Sequence, residues 1–310
     1  MQKILFTIGA LVLAAGFAAS AQQQRREPDP RSMGGGDCRD NPYNCRDAAN
    51  PLPAPDTVWL EEMTWMDVRD AMKAGKTTVI IPTGGFEPNG PWLALGKHNY
   101  VLQANCDAIA RTLGNALCAP TIKHVPEGDI NPPTGHMTSP GTISLREDTF
   151  RALLTDTARS LKQHGFKNII FIGDSGGNQA GQRAVAEALN TEFGDDVVVA
   201  HVQEYYDYAG VTKAMADAGI VKEGESDNLH DDVIITLNMF ATDPESVRFD
   251  ERVKAGKATI NGVSIADKAK NETMAKKIVE FRAEHTAEAI KKAIANKGTL
   301  PAPPRRRPGQ

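Results

Sequence analysis

The sequence has no surplus of basic charge and, beyond its first residues, no long hydrophobic run. Lysine and arginine total 35 against 39 aspartates and glutamates, which leaves a net charge of −4. Binding to nucleic acid or to an anionic membrane needs clustered basic charge, so neither partner is expected. After the N-terminal segment no stretch approaches the ~18 apolar residues of a membrane span, so we expect no membrane contact once that segment is removed.

Cysteine is also scarce, with four in 310 residues. Their spacing lacks the C-x2–4-C pair that is typical of a tetrahedral zinc site. In an oxidising compartment two local disulfides are reasonable, Cys38–Cys45 and Cys106–Cys118. For Cys106 the alternative of a small buried hydrophobic residue stays open.

The two ends of the chain differ from its middle. Residues 1–21 are typical of a secretory signal peptide, with a positive start, an apolar run and an A-x-A cleavage pattern, although an uncleaved anchor is an alternative. Residues 22–55 are expected to form a flexible linker or arm, and residues 299–310 a disordered Pro/Arg-rich tail. Residues 56–298 are expected to form one folded domain. The predicted location is therefore periplasmic or secreted.

In the middle of the chain, short apolar runs alternate with helical patterns. We predict strands at residues 77–82, 116–122, 168–172 and 196–202. Strands separated by helices favour an α/β fold, a three-layer sandwich with a mostly parallel sheet flanked by helices. A capping box of Ser144 and Glu147 is expected to start one of these helices. In such folds the site forms in loops at the carboxyl ends of the strands.

The first loop that is rich in reactive side chains covers residues 84–98. Glu87 lies just past a buried strand, and His98 starts the following helix. A carboxylate and an imidazole in one loop can bind a divalent metal or share a proton. The alternative is that Glu87 caps a turn and that His98 is solvated.

The second such loop is Gly173-Asp174-Ser175-Gly176-Gly177-Asn178. It satisfies G-x-S-x-G between a strand and a helix, which is the setting of a nucleophile elbow. Ser175 would then be the nucleophile, with His230 or His285 as its base. Alternatively, the glycines permit a tight turn and Ser175 caps the helix.

Two further histidines stand in suggestive surroundings. His230 lies beside Asp231 and Asp232 at a predicted helix start, where it could act as a general base or metal ligand. The alternative there is ordinary N-capping by one of the two aspartates. His136 lies in a Gly/Pro-rich loop, and such loops often form the wall of a pocket.

Taken together, these segments resemble the creatininase (creatinine amidohydrolase) family over residues 58–294. The matching blocks are LEEMTW (60–65), IIPTGGFE with GP and LG (80–96), PGTISL (140–145), HGF (164–166), GGN (176–178) and LH with a later Thr and Pro (229–244). The resemblance implies a creatininase-like α/β fold, a small-molecule substrate and a homo-oligomer. It also implies one or two divalent metals, commonly Zn²⁺ or Mn²⁺, and hydrolysis of a C–N bond in a small amide or cyclic amide by a metal-activated water.

At the family's ligand positions this chain departs from the pattern. Glu87 keeps the family's glutamate ligand, and His230 matches its late histidine. The other positions are substituted: Asn89 replaces a histidine, His98 the bridging aspartate, Ser175 a histidine, Gly177 a glutamate and Ile235 a late glutamate. The replacements remove anionic ligands, so a bridged pair of metals is not expected.

We therefore expect a rebuilt site in which Glu87, His98 and Asp174 hold one divalent metal, Zn²⁺ or Mn²⁺. The candidate catalytic residues are His230 as proton shuttle, Asp232 and Ser175. The candidate substrate-binding residues are Asn89, His136 and Asn178. Two alternatives remain: a non-catalytic binding protein that kept the fold and lost its metals, and a metal-free serine hydrolase that uses Ser175.

Overall fold

The computed structural model describes residues 26–222 and 231–298. The chain divides into two compact units between Pro53 and Ala54. In the first unit, residues 26–53 contain the predicted Cys38–Cys45 disulfide and a 3-10 turn at Pro42–Asn44. The predicted signal peptide, the predicted tail and His230 lie outside the described residues, and the proposed domain boundaries stay predictions.

The second unit holds the helices and the sheet. Its described residues form eight α-helices: α1 (Trp65–Lys73), α2 (Lys97–Leu113), α3 (Glu147–Gln163), α4 (Asn178–Phe193), α5 (Tyr208–Asp217), α6 (Val233–Thr242), α7 (Phe249–Lys254) and α8 (Lys268–Ala295). The strands are β1 (Thr78–Thr83), β2 (Ala116–Cys118), β3 (Asn168–Gly173), β4 (Val198–His201), β5 (Thr259–Ile260) and β6 (Val263–Ser264). None of the described helices has the length and hydropathy needed to cross a membrane.

Four strands form one parallel sheet in the order β2-β1-β3-β4. The central strands read TVIIPT and NIIFIG, and nearly all of their residues are buried. Continuous apolar runs of this kind are expected where helices cover both faces of a parallel sheet. Because Thr83 pairs with Gly173, β1 and β3 end at the same level and their following loops start side by side.

The helices pack in two groups against this sheet. Helices α2, α6 and α8 contact one another, as do α3 and α4, and members of both groups contact the strands. The predicted three-layer α/β fold with a parallel sheet is thereby confirmed. The second predicted disulfide, Cys106–Cys118, is also present and joins α2 to β2.

Some local predictions differ from the structure. β2 ends at Cys118 rather than at residue 122, shortly before Pro120, which has no N–H to donate to a strand ladder. The capping box of Ser144 and Glu147 is not formed, since the N-cap of α3 is Arg146 and makes no side-chain cap bond. Helices α5 and α7 and the β5–β6 hairpin are short elements without a clear periodic pattern.

Candidate functional site

The loops that follow β1 and β3 meet above the end of the sheet. Asn178, the first residue of α4, ties them together: its Nδ2 donates to the carbonyl oxygens of Thr83 at 3.0 Å and Gly84 at 2.9 Å. These bonds hold the loop of Glu87 next to the loop of Asp174. The side-chain nitrogen of Asn178 therefore has a structural role. Its Oδ1 is a buried acceptor without a hydrogen-bond partner among the described residues.

Three residues predicted as metal ligands lie together, but as a chain of ion pairs. His98 Nδ1 is 2.8 Å from Asp174 Oδ2, and His98 Nε2 is 3.0 Å from Glu87 Oε1. The second contact is close yet poorly aligned for a hydrogen bond. Lys97 Nζ lies 2.7 Å from the same Glu87 oxygen. All four side chains are buried.

The other end of the chain of ion pairs is Arg282, from the middle of α8. Its Nη2 donates to Asp174 Oδ1 at 3.1 Å, and Tyr208 Oη donates to the same oxygen at 2.7 Å. The guanidinium also stacks over the rings of Tyr205 and Tyr208 at 4.4 and 4.6 Å. We call Lys97, Glu87, His98, Asp174 and Arg282 the ion-pair chain.

The ion-pair chain shifts the pKa values of His98, Asp174 and Glu87. Burial and Lys97 lower the pKa of His98, but the neighbouring carboxylates outweigh them and the net pKa is raised. Burial raises the pKa of Asp174, but His98 and Arg282 bring it below its ordinary value. For Glu87, burial is likewise outweighed by His98 and Lys97, so its pKa lies well below the usual range. The two carboxylates therefore favour the protonated form of His98, in which neither ring nitrogen has a lone pair for a metal.

A second cluster shares Glu87 and uses its other oxygen. His136 Nε2 lies 3.1 Å from Glu87 Oε2. Glu127 joins them, and one ligand atom from each of the three residues lies within 4.8 Å of the others. Among the described residues this is the one such group of three or more potential ligands. We call Glu87, Glu127 and His136 the Glu–Glu–His cluster.

The loop between β2 and α3 brings Glu127 and His136 into place. Glu127 N donates to Ser144 Oγ at 2.9 Å, and Ser144 Oγ donates to Gly128 O at 2.7 Å. His136 N donates to Glu127 O at 3.0 Å. Ser144, predicted to cap α3, instead anchors the backbone of this loop.

The absence of side chains at two glycines makes room for Glu127 and the residue before it. A Cβ on Gly85 would lie closer than 3.0 Å to Glu127 Oε1, and one on Gly177 would lie closer than 3.0 Å to Pro126 O. Side chains at these positions would therefore collide with the segment that carries the carboxylate. The Pro126–Glu127 segment and the two sheet-end loops are built to fit one another.

Glu127 has the properties of a carboxylate that lacks a cation. Burial and the charge of Glu87 raise its pKa to about 8. Its Oε1 is buried without a hydrogen-bond partner among the described residues. A nearby divalent ion would relieve both conditions, and two carboxylates with one imidazole are a donor set that suits Zn²⁺ or Mn²⁺. The Glu–Glu–His cluster thus fits a metal better than the predicted set of Glu87, His98 and Asp174.

The remaining predicted residues have the following places. Ser175 is buried, and no hydrogen bond among the described residues joins its hydroxyl to a histidine. Its predicted partner His285 stacks on Phe281 in α8. Asn89 is buried near Glu87 and donates from Nδ2 to Glu87 O at 2.7 Å.

Asp232 caps a helix, as in the alternative interpretation of the segment around His230. Its Oδ1 accepts from Ile235 N at 2.8 Å at the start of α6. Burial raises the pKa of Asp232. Its neighbour Asp231 pairs instead with the buried Arg252 at 2.7 Å. A catalytic role for His230 stays a prediction, since that residue lies outside the described ranges.

With the geometry established, comparison with known proteins decides the family. The model of the creatininase family, described as creatinine amidohydrolase, matches residues 61–299. The chain belongs to the creatininase family. A creatinine amidohydrolase from Pseudomonas putida is 25% identical over 116 residues, which are 37% of this chain and 44% of that relative. The alignment thus spans less than half the length of the relative.

Solved creatininase structures share the fold. One described as creatinine amidohydrolase (creatininase) has a TM-score of 0.54 at 20% identity and covers 80% of this chain and 100% of its own. Another, described as a manganese creatininase, has a TM-score of 0.53 at 20% identity and covers 79% and 100%. This creatininase-family chain therefore has a hydrolase fold and a group of residues that could hold a metal.

Sequence reasoning missed three residues of this creatininase-family site. Glu127 stands alone between Pro126 and Gly128 in a loop without periodicity, and only its nearness to His136 along the chain hinted at a shared role. Lys97 lies beside His98 in the first loop, and the loop sequence does not reveal that its side chain is buried. Arg282 lies among many charged residues of α8, and its burial depends on packing that no local pattern reveals.

Proposed function

We propose that this protein is an exported hydrolase that cleaves a C–N bond in a small amide or cyclic amide with one divalent ion, Zn²⁺ or Mn²⁺. Glu87, Glu127 and His136 would hold that ion. The observation that carries the proposal is the state of the Glu127 carboxyl group. It is buried, its Oε1 has no hydrogen-bond partner in the part of the chain that the structure describes, and burial and Glu87 raise its pKa to about 8. When bound, the ion would polarise the substrate carbonyl and lower the pKa of a water.

The ion-pair chain serves this site by positioning Glu87. Asp174 holds the His98 ring, and His98 and Lys97 both face Glu87 Oε1. Glu87 Oε2 is thereby left toward His136. Partners behind a ligand that fix its orientation are a regular feature of metal sites.

His136 is the member of the cluster that is open to solvent. Its side chain is 34% exposed, whereas Glu87 is almost completely buried. Substrate would therefore approach past His136, in agreement with the role predicted for that residue at the pocket wall. We keep His230 as the proposed proton shuttle, supported by its match to the family's late histidine.

Metal content is the direct test of this proposal. The protein, purified without a polyhistidine tag or chelator, should contain about one Zn²⁺ or Mn²⁺ per chain by elemental mass spectrometry. Glu127→Gln and His136→Ala should lose the ion and remain folded. His164→Ala is the matched control, because His164 is an exposed histidine at the end of α3 and should leave metal content unchanged.

Activity is then assayed on a panel of small amides, as ammonia or amine release from linear amides and as the ring-opened product, heavier by one water molecule, from cyclic amides. Turnover that depends on the ion and disappears in Glu127→Gln would support the hydrolase. A wild-type protein that takes up neither metal after soaking would refute it. That result would favour the second candidate function, a metal-free binding protein. The observation that supports this candidate is that Lys97 and Arg282 already compensate the charges of Glu87 and Asp174.

Export and self-association are further parts of the proposal. Both disulfides suit an oxidising compartment, which supports a periplasmic or secreted location. Fractionation of cells that express the full chain should find the protein outside the cytoplasm. Light scattering on the purified protein should give the mass of a homo-oligomer, as expected from the family resemblance.

A further inference from the structure

Lys97 is a buried cation at an unfavourable place in the fold. Its side chain is 3% exposed and lies in the first turn of α2, where the helix dipole disfavours positive charge. A lysine in such surroundings is retained only when it is paired. Its partner is Glu87 Oε1, at 2.7 Å.

The two oxygens of Glu87 face different cationic groups. Oε1 faces Lys97 and His98 Nε2, at 2.7 and 3.0 Å. Oε2 faces His136, at 3.1 Å, on the side of the Glu–Glu–His cluster. An ion in that cluster would use Oε2, whereas an ion at Oε1 would have to displace the ammonium group.

Asp174 does not offer a second ion another ligand, because both of its oxygens are already engaged. Its Oδ2 is bound by His98 Nδ1, and its Oδ1 accepts from Tyr208 and Arg282. Lys97 and Arg282 already pair with Glu87 and Asp174, at 2.7 and 3.1 Å, and His98 lies between these two carboxyl groups. A first divalent ion would add positive charge close to Lys97, and a second ion would add more.

We infer that Lys97 acts as a resident cation that takes the place of a second metal ion and limits the site to one. The inference rests on the proposed metal site and adds a residue that sets its stoichiometry and affinity. Lys97 is a positioning residue in this scheme, because it acts through Glu87. Removing its charge should tighten the first ion and open Glu87 Oε1 to another.

The test compares Mn²⁺ binding to the wild type, Lys97→Gln and the charge-retaining control Lys97→Arg. Titration is followed by calorimetry and by electron paramagnetic resonance, which separates a lone Mn²⁺ from a coupled pair. Lys97→Gln keeps a donor for Glu87 and loses the charge. Circular dichroism melting checks folding, and Lys97→Met replaces Lys97→Gln if the latter does not fold.

We expect one uncoupled Mn²⁺ in the wild type and in Lys97→Arg. In Lys97→Gln we expect the first ion to bind at least ~10-fold more tightly and a second, coupled ion to bind at Glu87 Oε1, because like charges a few ångströms apart repel one another strongly even at an effective dielectric constant of about 20. Equal affinities in all three proteins, or two ions in the wild type, would overturn the inference and leave the proposed hydrolase standing. No ion in the wild type but one in Lys97→Gln would refute the proposed function and support Lys97 as the replacement cation. No ion in any of them would refute both.

Discussion

Replacing Gly177 with alanine should push the Pro126–Glu127 segment away from the start of α4 and displace Glu127. The backbone of Gly177 has φ −63° and ψ −22°, which alanine adopts freely, so the change acts only through its new methyl group. That Cβ would lie closer than 3.0 Å to Pro126 O, so the carbonyl must retreat by up to ~1 Å. Overpacking of this kind costs about 1–3 kcal/mol of stability.

The displacement should affect metal binding more than folding. Ligand distances in metal sites vary by only about 0.2 Å, so a displaced Glu127 should lower the affinity for Mn²⁺ by about 10–100-fold. Urea unfolding and Mn²⁺ titration measure the two effects. The control is Gly176→Ala, whose Cβ would meet only the tip of the Tyr206 side chain, 3.2 Å from its hydroxyl. If the two variants bind Mn²⁺ equally well, the space at Gly177 does not position Glu127.

Three other perturbations have defined outcomes. Burial and Arg183 lower the pKa of His201 to about 4. This residue therefore contributes stability above pH ~6.5 that is lost as the pH falls toward 4. His201→Gln should reduce this dependence of the unfolding free energy on pH, as measured by urea unfolding. Arg282→Met should destabilise the protein by about 3–5 kcal/mol in the same assay, because it removes a buried charge partner of Asp174 and leaves His98 alone to compensate this carboxylate. Reducing the disulfide between α2 and β2 should cost about 2–4 kcal/mol, seen as a lower melting temperature.

Each of these outcomes has a matched comparison. The acid sensitivity of His201→Gln is compared with that of His164→Ala, and equal slopes would exclude His201 as the source. For Arg282→Met, the double variant with Asp174→Asn should recover part of the loss; full additivity would mean that the pair does not interact. Unchanged melting after complete reduction would show that the α2–β2 disulfide adds nothing to stability.

The sheet and most long helices could be predicted from the sequence because their patterns are local. The run at 168–172 has the apolar, β-branched character of a buried strand, and the structure extends it only to Gly173. Helix α4, Asn178–Phe193, follows β3 in the alternation of strands and helices that the sequence predicts. The loops at the ends of β1 and β3 were also identified, since the carboxyl ends of parallel strands meet.

The composition of the site could be predicted only in part. Glu87, His98 and Asp174 were expected to meet, and they do. Their roles depend on Lys97 and Arg282, which lie on two other elements and whose burial is a property of tertiary packing. Glu127 was missed for a similar reason, because the space it needs is defined by the absence of side chains at two distant glycines.

The ion-pair chain also has a consequence for the order of folding. His98 and Asp174 are 76 residues apart in the chain, and Asp174 and Arg282 are separated by 108. Contacts of such long range form only after the loop-closure entropy of the intervening chain has been overcome. Helix α8 must therefore dock before Arg282 reaches Asp174. We expect the ion-pair chain to be completed among the last steps of folding, and a chain that stops short of that docking leaves Asp174 with His98 as its one cationic partner in the ion-pair chain.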